Sequence, residues 1–190
     1  MKIVCIKASP RKNGNSSALA ENFLKTAEAR GANIRTYTLN DLEYKPCQAC
    51  YACKRRLNHC ALQDDLIPVL NAFSQCDLAV LATPVYYADI SAQLKAFIDR
   101  TFSLLNPDYH SRPDPARFAP GKKMLWIITQ EAPEERHGDI FKRYAEMFKY
   151  IGCDPYLIRG VCVEIPGEVK SKLEVMKETE ELARKLVLCD

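Results

Sequence analysis

Four closely spaced cysteines are the residues of this sequence with the clearest capacity for chemistry. Cys47, Cys50, Cys53 and Cys60 lie in the segment CQACYACKRRLNHC, with the spacing C-x2-C-x2-C-x6-C. Thiolates bind zinc and iron strongly, and thiols also form disulfides or take part in redox reactions. The segment therefore predicts a metal centre, disulfides or free thiols, and the surrounding domain has to decide between them.

The composition is that of a globular protein in a reducing compartment. The 190 residues, 47% of them hydrophobic and 27% charged, suit one domain spanning residues 1–190. A net charge of +3 with dispersed Lys and Arg does not indicate a nucleic-acid or membrane partner. The N-terminal KIVCIKASP is too short and strand-like for a secretion signal. We therefore expect a cytoplasmic protein, in which clustered cysteines more often bind metal or do redox chemistry than form structural disulfides.

Apolar runs that alternate with amphipathic segments predict the elements that position these cysteines. Strands are predicted at residues 2–8, 33–39, 77–83, 123–129 and 154–164. Helices are predicted at residues 16–30, 64–74, 91–105, 135–151 and 168–188. This alternation predicts an α/β fold with a parallel sheet and helices on both faces. Two segments interrupt it, a cysteine-rich insertion at 44–63 and a proline-rich loop at 106–121. The length of the loop is typical of a lid or a dimer contact, and its composition also fits a passive surface loop.

Ligands of open parallel sheets bind beyond the carboxyl ends of the strands. After the first strand comes SPRKNGNSS, in which Ser9, Asn13, Asn15, Ser16 and Ser17 offer hydroxyl and amide donors. A helix cap and turn would use the same residue types, but the density of donors next to a helix N-terminus favours a phosphate site. The segment lacks both GxGxxG and the Lys-Ser/Thr pair of a nucleoside-triphosphate loop, so we predict a monophosphate ligand.

The third predicted strand runs into TPVYYADISAQLKAFIDR, which begins at residue 83. Pro84 bends the chain, and Val85, Tyr86 and Tyr87 form an apolar, aromatic shelf on which a planar ring can lie. Core packing would explain either tyrosine alone, but an aromatic pair in a turn at the carboxyl end of a strand favours a binding role.

These two motifs resemble those of the flavodoxin-fold, FMN-binding NAD(P)H oxidoreductases. SPRKNGNSS is similar to their phosphate loop, usually GSPRxxGNS/T, with Ala8 in place of the glycine, and TPVYYADISAQLKAFIDR is similar to their flavin-ring loop. The resemblance implies a flavodoxin-like three-layer sandwich with a five-stranded parallel sheet in the order 2-1-3-4-5. The implied FMN contacts are Ser9, Arg11, Asn15, Ser16 and Ser17 for the phosphate and Pro84, Val85, Tyr86 and Tyr87 for the isoalloxazine ring.

The family's third flavin loop corresponds to TQEAPEERHGD, after the fourth strand. This loop lacks the early glycine often found in the family. Its first residues, Thr129, Gln130 and Glu131, are the candidate contacts with the flavin. Thr129 is the one included in the predicted site.

The cysteine spacing resembles the compact motif of the iron-sulfur flavoproteins, a branch of this family that carries a 4Fe-4S cluster. Such a cluster requires four thiolates, whereas a zinc site generally draws its thiolates from two separated pairs. The resemblance implies a 4Fe-4S cluster held by the four cysteines of the insertion, with free thiols, zinc or a disulfide as alternatives. The other cysteines are predicted to be buried or incidental: Cys5, Cys76, Cys153, Cys162 and Cys189.

The implied function is FMN-dependent electron transfer, with NAD(P)H or ferredoxin as donor and a small molecule or a protein as acceptor. Electrons would pass between FMN and the cluster, in a homodimer or homotetramer. No catalytic acid or nucleophile is expected, because the flavin carries the electrons. Accordingly, Asp64 and Asp65 are predicted to cap a helix, and Asp99 and Arg100 to form an ion pair. The alternatives are a cluster-free FMN or quinone reductase and a non-enzymatic, flavodoxin-like electron carrier.

Overall fold

The structure, a computed structural model, describes residues 1–188, so Cys189 lies outside the described residues. The strands in this part of the chain are β1 (Lys2–Lys7), β2 (Asn33–Thr38), β3 (Leu78–Tyr86), β4 (Asp89–Ile90), β5 (Lys122–Thr129) and β6 (Cys153–Gly160). The α-helices are α1 (Asn15–Glu28), α2 (Ala52–Arg55), α3 (Leu66–Gln75), α4 (Ala92–Thr101), α5 (Asp139–Tyr150) and α6 (Leu173–Leu186). Short 3-10 helices cover Leu39–Asp41, Phe102–Leu104 and Glu168–Ser171.

The sheet has the predicted parallel topology. Its main strands lie in the order β2-β1-β3-β5-β6, and the two-residue strand β4 pairs antiparallel with the end of β3. Leaving this short hairpin aside, the order is 2-1-3-4-5, and the predicted flavodoxin-like α/β fold is confirmed. Strand β3 is longer than predicted because the chain continues extended through Pro84 to Tyr86 and pairs with β4.

Helices cover both faces of the sheet and form two hydrophobic clusters. On one face, Phe73 of α3 packs against Phe97 of α4 and Phe148 of α5, and Phe148 contacts Trp126 of β5. On the other face, α1 and α6 pack through residues such as Phe23. Because successive side chains of β3 enter opposite clusters, both of its faces are buried, which accounts for its nearly continuous apolar run.

The predicted helices are all present, but three of them differ at their ends, including the one predicted at 135–151, which begins as α5 at Asp139. The helix predicted at 91–105 ends as α4 at Thr101 and continues as the 3-10 helix Phe102–Leu104, and the helix predicted at 168–188 begins with the 3-10 helix Glu168–Ser171. The one-turn helix α2 in the cysteine insertion was not predicted, because four residues carry no readable periodicity. Within residues 1–188, no helix combines the length and apolarity required to cross a membrane.

Candidate functional site

The loop between β1 and α1 forms a tight turn at the carboxyl edge of the sheet. The backbone N–H of Arg11 donates to Ser9 Oγ at 3.2 Å, and Gly14 packs so closely that a Cβ there would lie 2.5 Å from the same oxygen. The first turn of α1 has no side-chain cap and no acidic residue. Its backbone N–H groups, with the positive end of the helix dipole, are therefore free to bind an anion.

Three of the predicted phosphate-loop residues, Ser16, Ser17 and Asn13, differ in their exposure to solvent. Ser16 is fully buried, and its hydroxyl has no hydrogen-bond partner among the described residues. An unpaired buried hydroxyl is unfavourable, so the loop retains an unused polar group beside the start of α1. Ser17 is also buried, whereas Asn13 is exposed at a turn with φ 59.

Asn15 and Arg11 connect the phosphate loop to the segment after β6. The Asn15 amide donates to the carbonyl of Ile165 at 3.1 Å and accepts from the N–H of Val169 at 3.1 Å. Arg11 Nη1 donates to the carbonyl of Glu164 at 2.8 Å. Both side chains therefore position the segment 163–169, a role that sequence reasoning missed because these partners are more than 140 residues away along the chain.

Tyr87 and Ala88 form the two-residue turn between β3 and β4, with φ values of 50 and 66. Such a turn ordinarily uses Asn-Gly, since each non-glycine residue in the left-handed region costs about 1–2 kcal/mol. The Tyr87 side chain is fully exposed. Backbone strain that presents an aromatic ring to solvent is typical of a binding site.

Asp89 of β4 fixes this hairpin to helix α5. Tyr144 donates its hydroxyl hydrogen to Asp89 Oδ1 at 3.2 Å, and Arg143 lies 3.3 Å from Asp89 Oδ2. Burial and the Asp89 carboxylate raise the pKa of Tyr144 to about 12. The phenol therefore stays protonated near neutral pH and remains a donor.

Gln130 organises the third loop without the glycine that the family often has there. Its buried side-chain amide donates to the carbonyls of Ala132, Pro133 and Arg136 at 3.1, 2.7 and 3.0 Å. Its Oε1 accepts from Arg159 Nη2 at 2.9 Å. The Gln130 side chain thus folds the loop.

The three loops converge on a cavity of about 290 Å³, which we call the carboxyl-edge cavity. The residues of the predicted site that line it are Ser9, Arg11, Asn15, Pro84, Val85, Tyr86, Tyr87 and Thr129, and the two other third-loop candidates, Gln130 and Glu131, line it as well. Asn13, Ser16 and Ser17 are not part of this lining. Its fourth wall, from Val163, Glu164 and Pro166, had no signal in the sequence, because these residues form no donor-rich motif.

All four cysteines of the insertion line a second cavity of about 450 Å³, which we call the cysteine cavity. Cys53 is buried, Cys60 is partly exposed, Cys47 and Cys50 are exposed, and none of them is in a disulfide. Ala49 and Tyr51, on either side of Cys50, both have positive φ, 50 and 56. These two strained residues give the insertion the sharp turns that point successive cysteines toward one cavity.

The thiols are not gathered around a single point. Among residues 1–188, no group of three or more His, Cys, Asp or Glu side chains is arranged to hold one metal ion. The four thiols line one cavity, but in this part of the chain they do not form a ligand group.

The cysteines outside the insertion have other environments. Cys5, Cys76 and Cys153 are buried and Cys162 is exposed. Burial raises the pKa of Cys5 and of Cys153 to about 12, so both stay protonated and unreactive.

Arg100 lines the cysteine cavity and pairs with Asp64. Its side chain is fully buried and contacts the carboxylate through two bonds of 2.8 and 3.1 Å. Burial lowers the pKa of Arg100, but the hydrogen bond with Asp64 and the neighbouring Cys60 thiol outweigh it and raise this pKa. Burial conversely raises the pKa of Asp64, but hydrogen bonds, first of all from Arg100, bring it below its ordinary value.

The structure changes two predictions, one about the ion pair of Arg100 and one about the cap of helix α3. The predicted ion pair between Asp99 and Arg100 is wrong, because Asp99 pairs with Lys95 at 2.6 Å, one turn away on α4. Asp65 is the N-cap residue of α3 but makes no side-chain capping bond. Asp64 Oδ1 instead accepts from the N–H of Leu66 at 3.2 Å.

The proline-rich loop at 106–121 packs against the cysteine insertion through Arg117. Arg117 Nη2 donates to the carbonyl of Cys53 at 2.9 Å and Nε to the carbonyl of Leu105 at 2.9 Å. Lys54 Nζ donates to the same Leu105 carbonyl at 2.9 Å and lies 4.1 Å from the centre of the Phe102 ring. Burial lowers the pKa of Lys54. The proline-rich loop thus closes one side of the insertion.

The family of the chain follows from its sequence as well as its fold. The sequence model described as NADPH-dependent FMN reductase matches residues 1–126. The chain belongs to the NADPH-dependent FMN reductase family. This match includes the phosphate loop, the cysteine insertion and the β3–β4 hairpin. A Bacillus subtilis protein provisionally named NAD(P)H-dependent FMN-containing oxidoreductase is 30% identical over 159 residues, or 80% of each chain.

This member of the FMN reductase family is also similar to iron-sulfur flavoproteins in sequence and to an azoreductase in fold. An iron-sulfur flavoprotein of Methanocaldococcus jannaschii is 35% identical over 101 residues, 53% of this chain and 52% of that protein. The chain spans about half the length of the iron-sulfur flavoproteins that it matches. The crystal structure of an FMN-dependent NADH-azoreductase from Bacillus anthracis in complex with FMN superposes with a TM-score of 0.74. It is 19% identical, covers 98% of this chain and 99% of that one, and shows the fold alone.

Proposed function

We propose that this chain is an FMN-dependent oxidoreductase whose FMN occupies the carboxyl-edge cavity. The observation that carries the proposal is the convergence there of three loops, with the uncapped start of α1 on one side and the aromatic hairpin on another. When bound, FMN supplies hydride transfer in pairs of electrons and transfer of single electrons.

The phosphate of FMN fits the loop after β1. The N–H groups of the first turn of α1 and the side chains of Ser9 and Arg11 are the donors that we assign to it. Gly14 keeps Ser9 Oγ in place, since a Cβ at this position would displace it. Ser16 keeps an unpaired hydroxyl buried behind the helix start and does not line the cavity, and Asn15 acts by holding the segment 163–169.

The flavin ring fits the opposite side of the carboxyl-edge cavity. Pro84, Val85, Tyr86 and Tyr87 present apolar and aromatic surface to it, and Thr129 lies at the end of the neighbouring strand. The bonds of Asp89 with Tyr144 and Arg143 of α5 hold the hairpin in place. The exposed Tyr87 marks the side on which a second reactant approaches the ring.

NAD(P)H is the donor that we propose, with ferredoxin as the alternative, and the acceptor is a small molecule or a protein. The enzyme works in the cytoplasm as a homodimer or homotetramer, and residues 1–190 form one domain. The family of the chain and the name of its Bacillus subtilis relative support a nicotinamide donor.

We further propose that Cys47, Cys50, Cys53 and Cys60 hold a 4Fe-4S cluster in the cysteine cavity. The four thiols line one cavity, and the related iron-sulfur flavoproteins support this assignment. The cluster supplies single-electron transfer when it is bound. The chain's own contribution is the strained backbone around Cys50 and the cover given by the proline-rich loop.

The two cavities lie at opposite ends of helix α4. This helix begins beside Thr83, next to the carboxyl-edge cavity, and its last residues line the cysteine cavity. Its 10 residues span about 15 Å at 1.5 Å per residue. We propose that, in the homo-oligomer, the cysteine cavity of one subunit faces the carboxyl-edge cavity of another.

The test is steady-state oxidation of NADH and NADPH by FMN-loaded protein with a quinone acceptor, in the wild type and in Cys50→Ser. We expect both proteins to bind one FMN and oxidise a reduced nicotinamide, and only the wild type to bind iron. Cys162→Ser, which changes an exposed cysteine outside the insertion, is the matched control and should retain iron.

Three outcomes separate the alternatives. Nicotinamide oxidation with no iron in any of the proteins would leave a cluster-free reductase. Bound FMN that is reduced by ferredoxin but not by nicotinamide would leave an electron carrier. A protein that binds no FMN would contradict the proposal itself.

A further inference from the structure

Two buried guanidinium nitrogens next to the cysteine insertion have no hydrogen-bond partner among the described residues. One is Nε of Arg100, which lines the cysteine cavity with a fully buried side chain, and the other is Nη1 of Arg117. The remaining nitrogens of both side chains are occupied, those of Arg100 by Asp64 and Lys45 and those of Arg117 by backbone carbonyls. A buried, charged donor without an acceptor is unfavourable. A ligand that accepts hydrogen bonds from these two nitrogens would therefore be stabilised.

The charges around the cysteine cavity are also unbalanced. Asp64 neutralises Arg100, but Lys54 and Arg117 donate their hydrogen bonds to carbonyl oxygens and form no ion pair in residues 1–188. Both cations meet at the carbonyl of Leu105, and Arg117 also bonds the carbonyl of Cys53. Neutral thiols would leave the positive charges of Lys54 and Arg117 unbalanced, whereas an anionic centre bound by the cysteines would balance them.

We propose that Arg117 and Lys54 set the reduction potential of the centre bound by the four cysteines, with the unpaired N–H groups of Arg100 and Arg117 as its hydrogen-bond donors. This inference rests on the proposed cluster. An iron-sulfur cluster held by four thiolates is anionic, and one added electron makes it more negative by one charge without breaking a bond or moving a proton. Nearby positive charge and N–H donors therefore stabilise the reduced form more than the oxidised form and raise the potential.

The inference gives the proline-rich loop a function within its own subunit. The loop carries Arg117 to the cysteine insertion from 64 residues further along the chain. Asn106 braces the start of the loop through bonds of its side-chain amide to the carbonyls of residues 114, 115 and 116. The loop thus holds the positive charge of Arg117 next to the cysteine insertion.

The test is a potentiometric titration with dithionite, the electron donor, on anaerobically purified protein. The reduced cluster is followed by its electron paramagnetic resonance signal, which separates it from the flavin. Arg117→Gln should lower the potential so that the reduced-to-oxidised ratio at a fixed potential falls by about tenfold, or about 59 mV for a one-electron couple. Arg117→Lys, which keeps the charge, should show a smaller shift.

The matched control is Arg56→Gln, which removes one positive charge from an exposed position of the same insertion. A shift in Arg117→Gln no larger than in this control, with iron content intact, overturns the inference. If Arg117→Gln fails to fold or loses its iron, Lys54→Gln is titrated instead, and a potential equal to that of the control overturns the inference. A wild type without iron refutes the proposed cluster and this inference together, whereas a loaded wild type with unshifted variants refutes the inference alone.

Discussion

The substitution Gly14→Ala, which adds one methyl group, is a sharp test of the proposed phosphate site. The φ of Gly14, −57, suits alanine, so Gly14→Ala introduces no backbone strain. The new Cβ would however lie 2.5 Å from Ser9 Oγ, 3.1 Å from Ser9 Cβ and 3.3 Å from the Arg11 carbonyl. Ser9 is only 5% exposed, so its side chain has little room to move away.

The expected effect has two parts. Overpacking of this kind costs about 1–3 kcal/mol of folding stability, which urea unfolding measures. Displacing Ser9 Oγ also removes one hydrogen bond to a charged phosphate, which is worth about 1.5–3 kcal/mol. This loss corresponds to about 10- to 100-fold weaker FMN binding.

The assay is quenching of flavin fluorescence as apoprotein is added to FMN or to riboflavin, which has no phosphate. Gly14→Ala should weaken FMN binding and leave riboflavin binding nearly unchanged. Gly138→Ala is the matched control, because its φ is −64 and its Cβ would approach nothing closer than Arg159 Nη1 at 3.8 Å. An equal loss for both flavins, or unchanged FMN affinity, would refute the placement of the phosphate.

Three other substitutions test the framework around the cavities. Asp64→Asn leaves Arg100 buried without its counter-charge and should cost about 3–5 kcal/mol in urea unfolding at pH 7. Because the pKa of Asp64 is lowered in the folded state, its contribution is present above the unfolded-state pKa of about 4 and is lost as pH falls through the folded-state value. A difference from wild type that stays constant over this range would contradict the pairing. Ser91→Ala removes the bonds of Ser91 Oγ with the N–H of Leu94 and the carbonyl of Ala8 and should cost about 1–2 kcal/mol, so an unchanged urea midpoint would count against this cap. Tyr87→Gly should gain about 1 kcal/mol by relieving the positive φ, yet weaken FMN binding, and no gain in stability would show that the turn is unstrained.

The sequence carried enough information to predict the sheet and the position of both cavities. Strand β3 reads as a strand because both of its faces are buried, and the loops that follow β1, β3 and β5 meet because parallel strands end at the same edge. The spacing of the four cysteines predicts that they lie within reach of one another, and they line one cavity without forming a metal-binding group in residues 1–188.

Contacts between distant parts of the chain were not predictable in this way. Asn15 binds the backbone around residue 165, and Arg117 binds the carbonyl of Cys53, but neither contact leaves a periodic or local pattern. Gln130 resembles any loop glutamine in the sequence, yet its side chain makes the bonds that fold the third loop. Such residues depend on the packing of the whole fold, because a polar side chain that becomes buried must find partners wherever the chain brings them.

The central claim is that one chain binds FMN in the carboxyl-edge cavity and a 4Fe-4S cluster in the cysteine cavity. The most direct test is purification without oxygen, followed by a visible absorption spectrum with flavin, iron and acid-labile sulfide analysis of the same sample. The account predicts flavin absorption, one FMN per chain, and about four irons with an equal amount of sulfide, as a cluster with four thiolate ligands requires. Flavin without iron would contradict the cluster, and a colourless protein without flavin would contradict the claim as a whole.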